Sequence, residues 1–247
     1  MRKIALFLLL LIYSTLYGQN LRTLNKEIVD ENNNEVILRS AGLGGWMLQE
    51  PYMFNYSSGA NTQHEFKEKL NNLVGTDNTE LFFESWLDNF VTELDVDSIA
   101  SWGFNSIRLP MHYDLFTLSI QNEPVEGENT WLDRGFEIVD QLLDWCEQNE
   151  LYLILDLHAA PGGQGYEASI SDYNSEFPSL WESVENQNKT IALWEQLAIR
   201  YKDEPWIGGY DLLNETNWDL GNFELRSFYV QVTNAIREHD TNHIIFI

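Results

Sequence analysis

The sequence predicts an α/β protein whose strands form a (β/α)₈ barrel, with roughly the first five of the eight strands present. Short apolar runs alternate with amphipathic helical segments, and this alternation repeats four times along the chain. The runs are almost wholly apolar, which indicates parallel strands that are buried on both faces. Polar residues fall at the carboxyl ends of three different runs, and in barrels the catalytic residues come from several such strand ends.

The predicted elements follow one another in a regular order. The first strand signal lies within residues 34–48, and each of four helices then leads into the next apolar run. In these helices apolar residues recur at the spacing of one buried helical face. The helices are predicted over residues 79–102, 131–149, 188–202 and 222–239, and the strands that they feed over residues 105–110, 151–158, 208–215 and 243–247.

An open doubly wound sheet is the alternative architecture for such a pattern. That fold concentrates its site at one switch point and carries a glycine fingerprint. The segment GLGGWM at residues 42–47 lacks the G-x-G-x-x-G spacing, and PGGQG at residues 161–165 lacks the Lys and Ser/Thr of a phosphate loop. The barrel is therefore favoured. PGGQG is expected to form a tight loop at its rim, where glycine permits close approach.

The first 18 residues have the pattern of a secretory signal peptide. Arg2 and Lys3 precede an apolar stretch over residues 4–13, and small or polar residues then lead to Gly18 as the cleavage position. The stretch is too short to span a bilayer comfortably. We therefore expect a mature protein, residues 19–247, that is secreted or periplasmic and has no membrane association after cleavage.

Charge and cysteine content exclude several classes of function. The net charge of −25 disfavours nucleic acid and anionic membranes as partners. The only cysteine, Cys146, excludes an intramolecular disulfide and is expected to be a buried, inert thiol on a helix. The 5 histidines fall at none of the close spacings of metal ligand sets, so no metal or cofactor is predicted. We expect a monomer.

Four segments carry a resemblance to a known family. They are GLGGWMLQEP (42–51), GFNSIRLPMHY (103–113), LILDLHAAPGGQ (153–164) and IGGYDLLNE (207–215). In this order and spacing, over residues 38–247, the chain resembles glycoside hydrolase family five, and most of all its cellulase and exo-β-1,3-glucanase branches. The resemblance implies a retaining hydrolase of β-1,3- or β-1,4-glucan with two catalytic carboxylates. The family's nucleophilic glutamate lies on strand seven, so we expect the chain to be the N-terminal portion of the catalytic barrel.

Four residues have implied roles in catalysis. The resemblance makes Glu215 the general acid/base, places Asn214 against the 2-hydroxyl of the reacting sugar, has Arg108 orient the nucleophile and has His158 line the reacting-sugar subsite. The residues alone leave a helix cap for Asn214 and Glu215, a structural ion pair for Arg108 and a core position for His158. Asp156 points to the same side of its strand as His158, and we expect it to support its neighbours.

Four further residues are candidate substrate contacts. Trp46, Glu50 and Tyr52 match residues that contact sugars in the negative subsites of the exo-glucanase branch. Trp218 follows Glu215 closely and is a candidate stacking platform for a sugar ring. Packing at the barrel bottom is the alternative for Trp46, and a hydrophobic lid contact is the alternative for Trp218.

One residue departs from the family pattern, and two other functions compete with hydrolysis of glucans. Thr216 follows the Asn-Glu pair where the family usually has proline. A non-catalytic carbohydrate-binding relative would keep the cleft and lack the nucleophile. An α/β esterase is disfavoured because the chain has no G-x-S-x-G motif.

Overall fold

The computed structural model describes residues 20–55, 59–220 and 222–247, so the predicted signal peptide lies outside the described residues. Within these ranges, no helix has both the length and the apolar character needed to cross a membrane. A short 3₁₀ turn, Tyr113–Leu115, follows the fourth strand. In chain order the other elements are β1 (Arg22–Leu24), β2 (Glu27–Val29), β3 (Ser40–Gly42), α1 (Gln63–Val74), α2 (Thr76–Asn89), α3 (Glu93–Ser101), β4 (Ser106–His112), α4 (Asp133–Gln148), β5 (Tyr152–Ala159), α5 (Ala168–Ser171), α6 (Val184–Tyr201), β6 (Ile207–Asp211), α7 (Asn222–Arg237) and β7 (Ile245–Phe246).

Five strands form one parallel sheet in the order in which they occur along the chain, β3-β4-β5-β6-β7. A doubly wound sheet reverses its strand order at a switch point, and this sheet has no reversal. Consecutive parallel strands joined by helices are the first five strands of a (β/α)₈ barrel. The predicted fold class is confirmed.

Alternation along the strands separates the core from the polar residues. Along each strand, every second side chain packs against the helices. The side chains that alternate with these lie on the opposite face of the sheet. That opposite set includes Arg108, Asp156 and His158. The core set comprises Ile107, Leu109 and Met111 of β4 and Leu153, Leu155 and Leu157 of β5.

The single helix predicted over residues 79–102 is wrong, because the structure divides it into α2 and α3. Thr92 and Asp95 form a capping box, in which the Asp95 carboxylate accepts from the Thr92 backbone N–H at 2.9 Å. Helix α6 begins four residues earlier than predicted, because the Ser183 hydroxyl accepts from the Asn186 N–H at 3.2 Å. The sequence pattern also missed α1 and the β1–β2 hairpin.

The first barrel strand is shorter than its sequence signal. Strand β3 covers only Ser40–Gly42, and a turn follows it. Gly45 has a φ of +84°, and a Cβ there would lie 2.4 Å from the Phe54 ring. Only glycine fits this position without strain. The turn carries the chain from the strand end into the segment that holds Glu50 and Tyr52.

Cys146 lies on α4 and is fully buried in the core. Burial raises the pKa of its thiol to about 12. The thiolate is the nucleophilic and metal-binding form. The prediction that Cys146 is buried is confirmed, and its raised pKa disfavours the reactive thiolate.

Candidate active site

Arg108, on β4, connects polar residues of β5 and of the end of β6. Its Nε and Nη2 atoms donate to Oδ2 of Asp211, at 3.0 and 2.8 Å. Nη2 also donates to Oδ1 of Asn214 at 3.0 Å and lies 3.1 Å from Oδ1 of Asp156. The guanidinium thus forms structural ion pairs. This was the role that the residues alone suggested for Arg108, beside the implied role of orienting the nucleophile. The Arg108 side chain is still 32% exposed.

His158 and Asn214 form one hydrogen-bonded unit with Asp156. The amide Nδ2 of Asn214 lies 3.2 Å from Nε2 of His158, and Nδ1 of His158 lies 2.7 Å from Oδ2 of Asp156. Since the amide can only donate, this pattern assigns the proton of a neutral His158 to Nδ1. Burial raises the pKa of Asp156, against the opposing effect of its hydrogen bond with His158. Asp156 therefore orients His158, as expected, and is itself fully buried.

Glu50 and Tyr52 approach these polar residues from the segment after β3. Glu50 is buried, and its Oε1 lies 3.6 Å from Nε2 of His158, beyond hydrogen-bond distance. Burial raises the pKa of Glu50, although its hydrogen bond with Tyr52 opposes the shift. Burial and this bond raise the pKa of Tyr52 to about 12. A smaller electrostatic contribution from Glu215 acts in the same direction on both groups.

Glu215 has an unusual backbone conformation. It lies just beyond β6, is exposed, and has a φ of +43°. A residue other than glycine pays about 1–3 kcal/mol for such a left-handed conformation, which persists only where the surroundings enforce it. Strain of this kind concentrates at functional sites. The exposed carboxyl, beside the buried Asn214, has the placement expected of a group that meets a ligand.

An aromatic cluster lies beside Glu215. Trp218 stacks on Tyr166 with ring centroids 4.0 Å apart and an interplanar angle of 13°, and Tyr173 meets Trp218 edge-on at 5.1 Å. Tyr166 is 55% exposed, so the cluster offers an accessible aromatic surface. Of these three aromatic residues, the sequence pattern indicated only Trp218. Tyr166 follows directly after PGGQG, and that closeness to the rim loop was the available signal.

Trp46 does not form part of this surface, and its prediction as a sugar contact is corrected. The side chain is 1% exposed and belongs to the hydrophobic core. Its indole N–H donates to the carbonyl of Leu87 at 2.8 Å, so α2 covers it. A buried ring has no free face for stacking on a pyranose. Trp46 is therefore a packing residue, which was the alternative to a sugar contact.

A second charged cluster, which no sequence pattern indicated, joins α1, β4 and the residue after α5. The Asp172 carboxylate pairs with Nδ1 of His64 at 2.9 Å and with Nε2 of His112 at 3.0 Å. Nδ1 of His112 lies 2.7 Å from Oδ1 of Asp114. Asp172 lies 108 residues from His64, so no local pattern could have predicted the contact.

One group in the described part of the chain could approach a common metal ion. Glu195, Glu238 and His239 have ligand atoms within 4.8 Å of one another. They lie on α6 and just after α7, in the helical layer and not in the sheet that carries Arg108 and His158. The histidine and Glu195 already pair with each other at 3.0 Å.

The fold and the site together define a class of protein. His158 lies near the carboxyl end of β5, Asn214 and Glu215 follow β6, and Arg108 reaches Asn214 from within β4. Catalytic residues of barrel enzymes cluster at this end of the strands. The family profile for cellulase, glycosyl hydrolase family 5, matches residues 59–247. The chain belongs to this family.

Individual relatives agree with this assignment. A protein named beta-xylosidase from Phanerodontia chrysosporium is 37% identical over 92% of this chain and 45% of its own length. A probable glucan 1,3-beta-glucosidase A from Aspergillus fumigatus is 26% identical over 85% of this chain and 49% of its own length. The chain thus spans about half the length of these curated relatives. The crystal structure of rutinosidase from Aspergillus niger shares the fold, with a TM-score of 0.67 and 17% identity over 84% of this chain and 61% of that one.

Proposed function

We propose that the full-length protein, meaning the natural polypeptide that contains this chain, is an exported retaining β-glucanase with Glu215 as its general acid/base. The observation that carries the proposal is the exposed, conformationally strained Glu215 beside the buried Asn214 at a strand end. Membership of family 5 supports hydrolysis of glycosidic bonds. The charge of −25 suits a neutral polysaccharide as substrate.

In the proposed mechanism Glu215 protonates the glycosidic oxygen and later activates water. The nearby Asn214 amide contacts the 2-hydroxyl of the reacting sugar, and its orientation is held by Arg108 and His158. The nucleophile of a retaining enzyme lies about 5–5.5 Å from the acid. Following the resemblance, we propose that strand seven of the full-length protein supplies it.

Glu50 is not the proposed nucleophile. The proposed nucleophile lies on strand seven, whereas Glu50 lies on the segment after β3. Its carboxyl and the Tyr52 hydroxyl instead suit hydrogen bonds to sugar hydroxyls in the negative subsites. Tyr166 and Trp218 then provide an apolar surface for a neighbouring ring, since aromatic faces pack well against apolar C–H surfaces.

The proposed substrate is a β-1,3- or β-1,4-linked glucan, and the proposed active form is a monomer. The names of the relatives support β-linked sugars, and the segment LILDLHAAPGGQ favours the β-1,3 branch. Linkage depends on loops around the cleft, as it does in many barrel enzymes. Release of reducing sugar from laminarin, lichenan, carboxymethylcellulose and mannan compares the possibilities directly.

The role of Glu215 is tested by Glu215→Gln in the full-length protein. We expect kcat on an unactivated glucan to fall by about two to four orders of magnitude, the usual contribution of a general acid. Glu167→Gln is the matched control, because Glu167 is an exposed carboxyl on the neighbouring loop. Unchanged turnover by Glu215→Gln would remove the residue from this role. Binding of laminarin by the wild-type protein without any cleavage would favour the carbohydrate-binding alternative.

A further inference from the structure

The strained backbone at Glu215 is held by hydrogen bonds on both sides. On the far side, the Glu215 carbonyl accepts from the Asn217 backbone N–H at 2.9 Å, which is a local turn. On the near side, the Asn214 carbonyl accepts from the side-chain amide of Gln164 at 2.8 Å. That carbonyl belongs to the peptide bond between Asn214 and Glu215. The orientation of this peptide is therefore fixed by a side chain from a different loop.

Gln164 uses its whole amide group in this contact and two others. Nε2 also donates to the His158 carbonyl at 2.7 Å, and Oε1 accepts from the Ala160 backbone N–H at 3.1 Å. The side chain is fully buried, so water does not compete for these bonds. Two donors and one acceptor on one short side chain are a property of amides alone. Gln164 thus joins the strand end that carries His158 to the one that carries Asn214.

The residues after Gln164 lie directly against the residues after Glu215. A Cβ on Gly165 would come within 2.4 Å of Oδ1 of Asn217 and 2.9 Å of the Glu215 carbonyl oxygen. The Tyr166 backbone N–H donates to the same Oδ1 at 2.7 Å. The two loops therefore interlock, and Gly165 is the residue type that permits so close an approach.

We propose that Gln164 is a positioning residue, which sets the peptide before Glu215 and thereby aims the carboxyl of the general acid/base. The inference rests on the proposed role of Glu215. Without the Gln164 amide, the carbonyl of the peptide between Asn214 and Glu215 loses its hydrogen-bond donor. The backbone of Glu215 then relaxes toward the right-handed region. The carboxyl then moves away from the glycosidic oxygen, and a displacement of about 1 Å costs on the order of 100-fold in rate.

The test compares two substrates that need proton donation to different degrees. A 2,4-dinitrophenyl β-glucoside departs as a stable anion, whereas an unactivated laminari-oligosaccharide requires a proton on its leaving oxygen. We expect Gln164→Met, which keeps the volume and removes the hydrogen bonds, to lower kcat/KM for the oligosaccharide by about 10- to 100-fold. For the dinitrophenyl glucoside we expect a loss of less than about 3-fold, because general acid assistance is not needed there.

Asn186→Leu is the matched control. Asn186 lies at the start of α6, is also buried, and its Nδ2 donates to the carbonyls of Pro178 and Ser179 at 2.9 and 3.3 Å. Its loss removes similar bonds from the same loop but none from His158 or Asn214, so both substrates should change in parallel. If Gln164→Met does not fold, Gln164→Asn carries the same comparison, because its amide is one methylene too short to span both carbonyls.

Each outcome decides between the positioning role and a purely structural one. A selective loss on the oligosaccharide, with Asn186→Leu unselective, supports the proposal. Equal losses on both substrates by the Gln164 variants would show that Gln164 only stabilises the loop, and would overturn it. Glu215→Gln is measured alongside on the same two substrates. If that variant is itself unselective, the proposed function fails, and the positioning role fails with it; if it is selective and the Gln164 variants are not, only the positioning role is refuted.

Discussion

Replacing Lys189 by Met tests whether one buried ion pair holds the long loop between β4 and α4. The ammonium of Lys189 comes from α6, and the side chains of Lys189 and Glu123 are each 2% exposed. Its Nζ donates to the Glu123 carboxylate, to Oδ1 of Asn129 at 2.9 Å and to Oγ1 of Thr117 at 3.2 Å. All three acceptors belong to the loop, so a single side chain ties both of its ends to the helix.

The expected loss of unfolding free energy follows from the Glu123 carboxylate, which Lys189→Met leaves without its cation. Breaking a buried pair by removing one partner destabilises a protein by about 3–5 kcal/mol, because the remaining charge is uncompensated. The backbone N–H and hydroxyl of Thr130 still donate to Glu123, at 3.0 and 2.8 Å. We therefore expect a loss near the lower end, about 3 kcal/mol of unfolding free energy. The double variant Lys189→Met/Glu123→Gln should recover part of it, because it leaves no unpaired charge.

Urea unfolding of the full-length protein, followed by tryptophan fluorescence, measures this loss. Lys202→Met is the control, since Lys202 is exposed directly after the last turn of the same helix. It should change the unfolding free energy by no more than about 0.5 kcal/mol. A loss below about 1 kcal/mol for Lys189→Met is the value of an exposed pair and would refute the reasoning.

Two further outcomes are expected, in stability and in substrate binding. Burial alone would lower the pKa of His112, but the flanking carboxylates raise it to about 10. Its contribution to stability is complete below about pH 6.5 and should be lost as pH rises toward 10. Burial alone would raise the pKa of Asp172, but its histidine partners lower it to about 2. Its contribution should therefore be lost as pH falls from about 3.9 toward 2. Thermal unfolding across pH tests both limbs, and an alkaline limb that His112→Gln leaves unchanged would contradict the assignment. Separately, Tyr166→Ala removes the stacking partner of Trp218 and should raise the KM for oligosaccharides about 2- to 12-fold, the value of one aromatic contact. Tyr166→Phe should leave KM unchanged, and equal KM values for the Ala variant and the wild type would argue against a substrate surface there.

The sequence could predict that central site residues lie close together, because a general rule relates a position on a parallel strand to a position in the barrel. Parallel strands align their carboxyl ends, so His158 and Asn214 had to lie close together once each was placed at a strand end. Arg108 lies within β4, not at its end, and reaches Asn214 through its long side chain. The strict alternation of β5 likewise put Asp156 on the same side as His158. Arg108, Asp156 and His158 lie in regular strands, where the direction of a side chain follows from its position.

The remaining features lie in turns and loops, whose backbone geometry does not follow the periodicity of a helix or a strand. Trp46 lies in a glycine turn, and its direction into the core followed from backbone dihedrals that the sequence pattern does not encode. Tyr166 and Gln164 lie in an irregular loop, where no strand register or helical spacing indicates which residues are in contact. The pairing of His64 with Asp172 depends on the packing of α1 against a distant loop. Such contacts require coordinates.

The interlock between the PGGQG loop and the loop after β6 has a consequence for recombination among related enzymes. The Gln164 amide, the absent side chain of Gly165 and the Asn217 carboxamide are complementary parts of one joint. A chimera that inherits one loop from another family member and the other from this chain would combine halves that were never fitted to each other. Exchange of substrate preference through loop grafting should therefore succeed when both segments are transplanted together, and fail when either is moved alone.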